Sequence, residues 1–133
     1  MIYAIDSNII SYFLKKDEII RNKIRTEIEN DNYFIIPPIV YFEVKRWLVL
    51  KQANAQMREF ERLCEKITIG EMNRFIWEKA IEIYVSTRKT GNVIDDSDVF
   101  IAAFCIVNDC ELVTNNLRHF ECIKDLKYIN WKC

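Results

Sequence analysis

Short apolar runs alternate with longer stretches of helical periodicity along the whole chain, and this alternation restricts the fold more than any other property. Ile2-Tyr3-Ala4-Ile5, Tyr33-Phe34-Ile35-Ile36, Ile67-Thr68-Ile69, Glu111-Leu112-Val113-Thr114 and a final run from Lys127 to Ile129 read as strands. Residues 8–14, 18–29, 39–51, 54–66, 72–88 and 98–108 carry helical spacing, with Ser7 or Asn8 placed to cap the first of these stretches. Asn30-Asp31-Asn32, Pro37-Pro38 and Thr90-Gly91-Asn92 punctuate them. Residues 99–107 are apolar on every side and read as a helix buried in the core. Strands alternating with helices indicate an α/β fold: a mainly parallel central sheet flanked by helices and joined by right-handed crossovers.

A chain of 133 residues fits one domain, residues 1–133, and a hydrophobic content of 50% with two glycines and two prolines allows a substantial core. The net charge of −1 gives no global attraction to nucleic acid, so a polyanion would be held by a local basic patch, a bound cation, or both. Lys15, Lys16, Lys45, Arg46, Arg88, Lys89 and Arg118 fall near the ends of elements that frame such a patch, although scattered basic residues usually form a solvated surface. Cys64, Cys105, Cys110, Cys122 and Cys133 contain no CxxC pair, and their odd number fits a disulfide framework poorly, so reduced thiols in the cytoplasm are expected. No basic N-terminal region precedes a long apolar segment, and no run approaches a membrane span.

Polar residues far apart in sequence stand where these segments end or turn helical. Asp6 closes the first strand and Thr114 the fourth, and in open α/β sheets ligands gather at those carboxyl ends. Glu43 lies four residues from both Ile39 and Trp47 in a helical stretch, which aims a carboxylate inward along an otherwise apolar face. Asp98 opens the buried helix, where the helix dipole favours its charge. Taken singly, Asp6 or Asp98 is more often a helix cap, and the loop acids Asp95 and Asp96 compete with Asp98 for any site role.

Three carboxylates brought together raise one another's pKa and call for a cation or a shared proton. One histidine and cysteines without zinc spacing leave a hard cation on oxygen ligands, magnesium or manganese, as the expected metal. Such a cation can grip a phosphate oxygen and help ionise an attacking water, which is phosphodiester hydrolysis. His119 has no Ser or Cys nucleophile as a sequence-level partner, so a triad hydrolase is disfavoured; beside Arg118 it reads as a surface or phosphate-contacting residue. Tyr12, Phe13, Tyr41, Phe42 and Trp47 are expected in the core, with part of that surface available to a partner.

These residues resemble a PIN domain, specifically a VapC-type toxin ribonuclease of a toxin–antitoxin pair. The marks are Ile5-Asp6-Ser7-Asn8, Glu43 after Pro37-Pro38, Gly91-Asn92-Val93-Ile94 leading to Asp98-Val99-Phe100-Ile101-Ala102-Ala103, then Leu112-Val113-Thr114-Asn115-Asn116 and His119-Phe120, spread over nearly the whole chain. The resemblance implies a three-layer α/β/α fold in which Asp6, Glu43 and Asp98 bind Mg²⁺ or Mn²⁺. It further implies that Thr114 and Asn116 orient water or phosphate, and that Asn8 supports Asp6. Asn116 stands where many relatives have a fourth acid, and a neutral amide is a weaker ligand for a second metal. An RNA substrate, loss of translation, a homodimer and a VapB-type antitoxin are implied as well. Such an inhibitor would lay a helix across the aromatic surface near Glu43 and direct an Arg or Lys among the acids. A degenerate PIN scaffold that binds RNA or protein without cutting is the alternative. A haloacid dehalogenase phosphatase would need a second Asp where Asn8 stands, and a receiver domain would need an acceptor Asp on the third strand.

Overall fold

The computed structural model describes residues 1–132; Cys133, counted among the thiols above, lies outside the described residues. Along the chain run β1 (Ile2–Ile5), α1 (Ser7–Leu14), α2 (Glu18–Glu29), β2 (Tyr33–Ile36), α3 (Pro38–Leu50), α4 (Asn54–Lys66) and β3 (Thr68–Ile69). They are followed by α5 (Arg74–Lys89), α6 (Asp96–Val107), β4 (Glu111–Val113), α7 (Leu117–Phe120) and β5 (Lys127–Ile129). The strands form one sheet in the order β3-β2-β1-β4-β5. Every pairing is parallel, with Ile5 opposite Val113 and Ala4 opposite Ile35.

Burial explains why the central strands are continuous apolar runs. Successive strand residues point to opposite faces of a sheet, and Ala4 and Ile5, like Leu112 and Val113, are both inaccessible, so helices cover both faces at β1 and β4. The edge strands β3 and β5 carry exposed residues instead. Helix α6 is the buried element that its sequence indicates: Ile101, Ala102, Ala103, Phe104 and Cys105 are all 2% exposed or less. Its partner α5 contributes a single buried stripe, Ile76, Ala80, Ile83 and Thr87.

Helix starts follow local hydrogen bonding. Asp17 accepts from the Ile20 amide and Asn73 from the Ile76 amide, and Pro38 opens α3 at a position where its missing N–H costs nothing. Asp6 itself, rather than Ser7 or Asn8, caps α1, because its β-region backbone lets the carboxylate accept the Ser7 amide. The chain end is tied down by Trp131, packed edge-on against Tyr3 and Phe34, and by an ion pair between Lys132 and Asp17.

Gly70 follows β3 at a close approach that admits no side chain. A methyl there would lie 2.6 Å from Phe104 Cε2, closer still to Cζ, and 3.2 Å from the Ile36 carbonyl. Phe104 is fully buried and cannot swing away, so Gly70→Ala is expected to destabilise the fold by about 1–3 kcal/mol. A thermal melt unchanged from the parent would refute this.

Candidate active site at the carboxyl ends of β1 and β4

The chain fills the sheet from β1 through β2 to β3, then returns to place β4 on the other side of β1. The strand order therefore reverses between β1 and β4, where a crevice opens at the carboxyl ends. Asp6 and Thr114 occupy it, the first residues past their strands. The ladder continues to them through the Asp6 amide, which donates to the Val113 carbonyl at 3.0 Å.

Asp6 is 3% exposed and Thr114 is wholly buried. The Thr114 hydroxyl donates to Asp6 Oδ2 at 2.7 Å, and the Ser7 amide donates to Asp6 Oδ1 at 2.7 Å. Burial pushes the Asp6 carboxyl above the ordinary range, and these two donors pull part of the way back. Asn8 completes the cradle: its amide nitrogen lies 3.3 Å from Asp6 Oδ2, and its Oδ1 accepts the Asn115 amide at 3.0 Å. Asp6 is thus a helix cap and a buried carboxylate of the crevice at once.

Glu43 stands beside the buried stripe of α3, formed by Val40, Val44 and Leu48. Ile39 is half-buried and Trp47 half-exposed, so the face expected to carry Glu43 inward is the rim of the helix rather than its core-facing centre. From that rim the carboxylate still reaches in. Among the described residues, Glu43 Oε1 is a buried side-chain oxygen with no hydrogen-bond partner. Burial raises the Glu43 carboxyl first and the charges of Asp6 and Asp98 raise it further, while Arg46 and the Ser97 side chain act the other way.

Asp98 lies in the first turn of α6, and its Oδ2 meets His119 Nδ1 at 3.0 Å. Burial is again the main cause that raises its carboxyl, Asp6 and Asp95 add to it, and His119 opposes it. Asp95 caps α6 without a side-chain bond, and Asp95 and Asp96 are both exposed, so Asp98 alone of this acidic loop is coupled to Asp6 and Glu43. The contact with His119 spans 21 positions and carried no signal in the sequence.

The residues after β4 divide into two kinds. The Asn116 amide donates to Thr114 Oγ1 at 3.0 Å, while the Asn116 side chain is exposed at the start of α7. Asn115, whose role the sequence did not indicate, links the site to its surroundings: its Nδ2 donates to the Tyr12 hydroxyl, and its Oδ1 accepts from Asn130. Asn8→Ala removes the side-chain amide on Asp6 and the acceptor for Asn115 together. A loss of about tenfold or more in activity, with a small change in melting temperature, is the expected outcome; activity equal to the parent's would refute it.

Among the described residues, no group of three or more His, Cys, Asp and Glu side chains stands close enough together to hold a metal ion as placed. The chemistry of the donors nevertheless fits a hard cation. Burial raises the proton affinity of all three carboxylates, the charge of Asp6 adds to the rise at Glu43 and Asp98, and one of their oxygens is buried without a donor. A divalent ion on oxygen ligands relieves both conditions. Two cavities flank the acids, one of about 300 Å³ walled in part by Glu43, the other of about 220 Å³ walled by Asp98, Arg118 and His119. No helix among the described residues is long and apolar enough to cross a membrane.

The chain is similar to Ribonuclease VapC1 of Haemophilus influenzae strain R2866, with 29% identity over 98% of each chain. In three dimensions it is similar to a chain of VapBC2 from Rickettsia felis, solved bound to a DNA fragment from their promoter. The TM-score is 0.91 at 25% identity, over 98% of this chain and 99% of that one. It is also similar to a chain of VapBC-1 from nontypeable Haemophilus influenzae, with a TM-score of 0.88 at 27% identity over the full length of both. Residues 3–125 match the PIN domain, and with the parallel sheet and the carboxylates at its strand ends already described, the chain belongs to the PIN domain family.

Proposed function

We propose that this chain is a metal-dependent endoribonuclease of the VapC kind, a toxin that hydrolyses RNA phosphodiester bonds in the cytoplasm, inhibits translation and is neutralised by a VapB-type antitoxin. The observation that carries the reading is the coupled trio Asp6, Glu43 and Asp98 at the strand ends, with the buried Glu43 oxygen lacking any donor. Its likeness to VapC ribonucleases and to chains from VapBC assemblies supports the substrate class and the partner.

In this reading Asp6, Glu43 and Asp98 hold Mg²⁺ or Mn²⁺, which when bound supplies a Lewis acid for the phosphate and makes an attacking water more acidic. Thr114 acts through Asp6 as a positioning residue, since its buried hydroxyl is spent on that carboxylate. Asn8 fixes the same group from the side. The exposed Asn116 side chain is free to meet a phosphate oxygen, and as an amide it makes a second metal ion weakly held. Without a cation the acids repel the RNA backbone, so an antitoxin that inserts an Arg or Lys among them would replace the ion and close the site. Pairing of two copies is proposed on the exposed apolar side of α5, where Trp77, Ile81, Tyr84 and Val85 are at least 41% exposed. Light scattering that returns the monomer mass for the isolated chain would refute that part.

The test is cleavage of total RNA by purified protein with Mg²⁺, with Mn²⁺ and with EDTA, beside Asp98→Asn. Cutting that needs the metal and disappears in the variant is expected. RNA binding with no cutting under any condition would favour the inactive scaffold instead.

A further inference from the structure

We propose that the cavity beside Glu43 is a nucleobase subsite in which the Trp47 indole stacks one base of the RNA and Gln56 reads its edge. The inference rests on the ribonuclease reading and deepens it.

The cavity lies between α1, α3 and α4, with Leu14, Val44 and Trp47 on its apolar side and Ser11, Lys15 and Gln56 on its polar side. Its volume of about 300 Å³ is at the small end of ligand pockets and suits a single planar ring system. Trp47 is 47% exposed in a concave place. Among the described residues it meets no other ring or cation, whereas Trp77 is packed on Phe100 and Trp131 on Tyr3 and Phe34. A large indole left with an open face beside a polar wall is what an aromatic platform for bases requires, because every base offers a π-face.

The polar wall supplies the rest. Among the described residues, the side chains of Ser11, Lys15 and Gln56 make no hydrogen bond or ion pair with the protein. A glutamine amide presents a donor and an acceptor side by side, matching the edge of a base. Lys15 offers a charge to the sugar-phosphate backbone. An apolar peptide side chain seated on Trp47 would leave these three polar groups unpaired, so the lining favours a base over a protein occupant. Glu43 belongs both to this wall and to the carboxylate trio, which makes the cavity continuous with the place where a phosphate would be held. Stacking on Trp47 would strengthen binding of any RNA, and Gln56 would decide which base is preferred.

The test measures binding of fluorescein-labelled RNA decamers of A, C or U to a background in which cutting is stalled, the protein with all three carboxylates intact and Ca²⁺ in place of Mg²⁺. The background protein should discriminate among the decamers. Trp47→Ala should weaken all of them about tenfold, Trp47→Phe should retain most of the affinity, and Gln56→Ala should narrow the spread between bases. Trp47→Ala within twofold of the background protein on every decamer, or no binding of any decamer before Trp47 is changed, overturns the proposal. So does a Trp47→Ala protein that binds RNA normally but has lost a VapB-type antitoxin, since the cavity is then a protein-docking surface. Metal-dependent cutting by the unaltered chain alongside an indifferent Trp47→Ala would defeat the subsite alone. Trp47-dependent RNA binding without any cutting would instead defeat the catalytic reading.

Discussion

Asp6→Asn is expected to lower RNA cleavage by about a hundredfold or more while leaving the metal-free protein as stable as the parent or more so. On the proposed reading, the activity loss follows from removing a charge where a cation and a phosphate would be brought together in a water-poor crevice. The stability result follows from the same burial. Asp6 is almost inaccessible and its carboxyl is raised chiefly by desolvation, so its ionised form is held at a cost to the fold. An asparagine keeps the shape and its Oδ1 accepts the Ser7 amide, while its Nδ2 can donate to the Thr114 hydroxyl beside the Asn116 amide once the long Asn8 contact gives way. Thermal melts in EDTA beside single-turnover cleavage check both halves. A melting temperature several degrees below the parent's would show that the Asp6 carboxylate stabilises the fold, contrary to this account.

The metal-free protein is also expected to lose stability as pH rises above the ordinary carboxylate range, and a divalent cation should remove most of that loss. Asp6, Glu43 and Asp98 all have raised carboxyls in the folded state. Between the ordinary carboxylate range and the raised values the folded chain holds more protons than the unfolded chain. Unfolding free energy therefore falls as pH rises through the folded-state pKa values. Asp17, lowered by its bond to Lys132, and Glu59, lowered by Arg62, have the opposite sign, but their contribution is complete above the ordinary carboxylate range and is flat in this window. The buried thiols Cys105 and Cys110, the latter pushed up to about 11, add a similar loss only at higher pH, which sets the upper limit of the scan. A cation at a hundred times its dissociation constant would add about 2.7 kcal/mol. Melting temperatures that rise with pH in EDTA, or a slope that survives Asp6→Asn undiminished, would contradict the assignment of the effect to this cluster.

The fold was legible because its signals are short-range. The apolar runs, the capping acids and Pro37-Pro38 fix element type locally, and strands alternating with helices leave few topologies. The observed bounds moved by a residue or two, as where α3 begins at Pro38 and α6 at Asp96. Asp6 and Thr114 were legible at the site because each ends an apolar run, and Asp98 because it opens an all-apolar helix. The contacts that bind these residues together were not. The Thr114 hydroxyl on Asp6 spans 108 positions and the Asn115 amide on Asn8 spans 107, and both depend on β4 returning beside β1. Periodicity also overstated Glu43: four-residue spacing placed it on an apolar face, but Trp47 at the next turn opens to a cavity, and the buried stripe runs one position further along. A carboxylate at a helix rim reaches the crevice while keeping one side toward solvent, which sequence spacing alone does not distinguish from a core position.

The central claim is that three carboxylates at the strand ends form a divalent-cation site, and isothermal titration of the metal-free protein with Mn²⁺ near neutral pH tests it most directly. Saturable binding that releases protons and is lost in Asp6→Asn and in Asp98→Asn is the result this account predicts. Equal binding by the parent and both variants, or none by the parent, would contradict it.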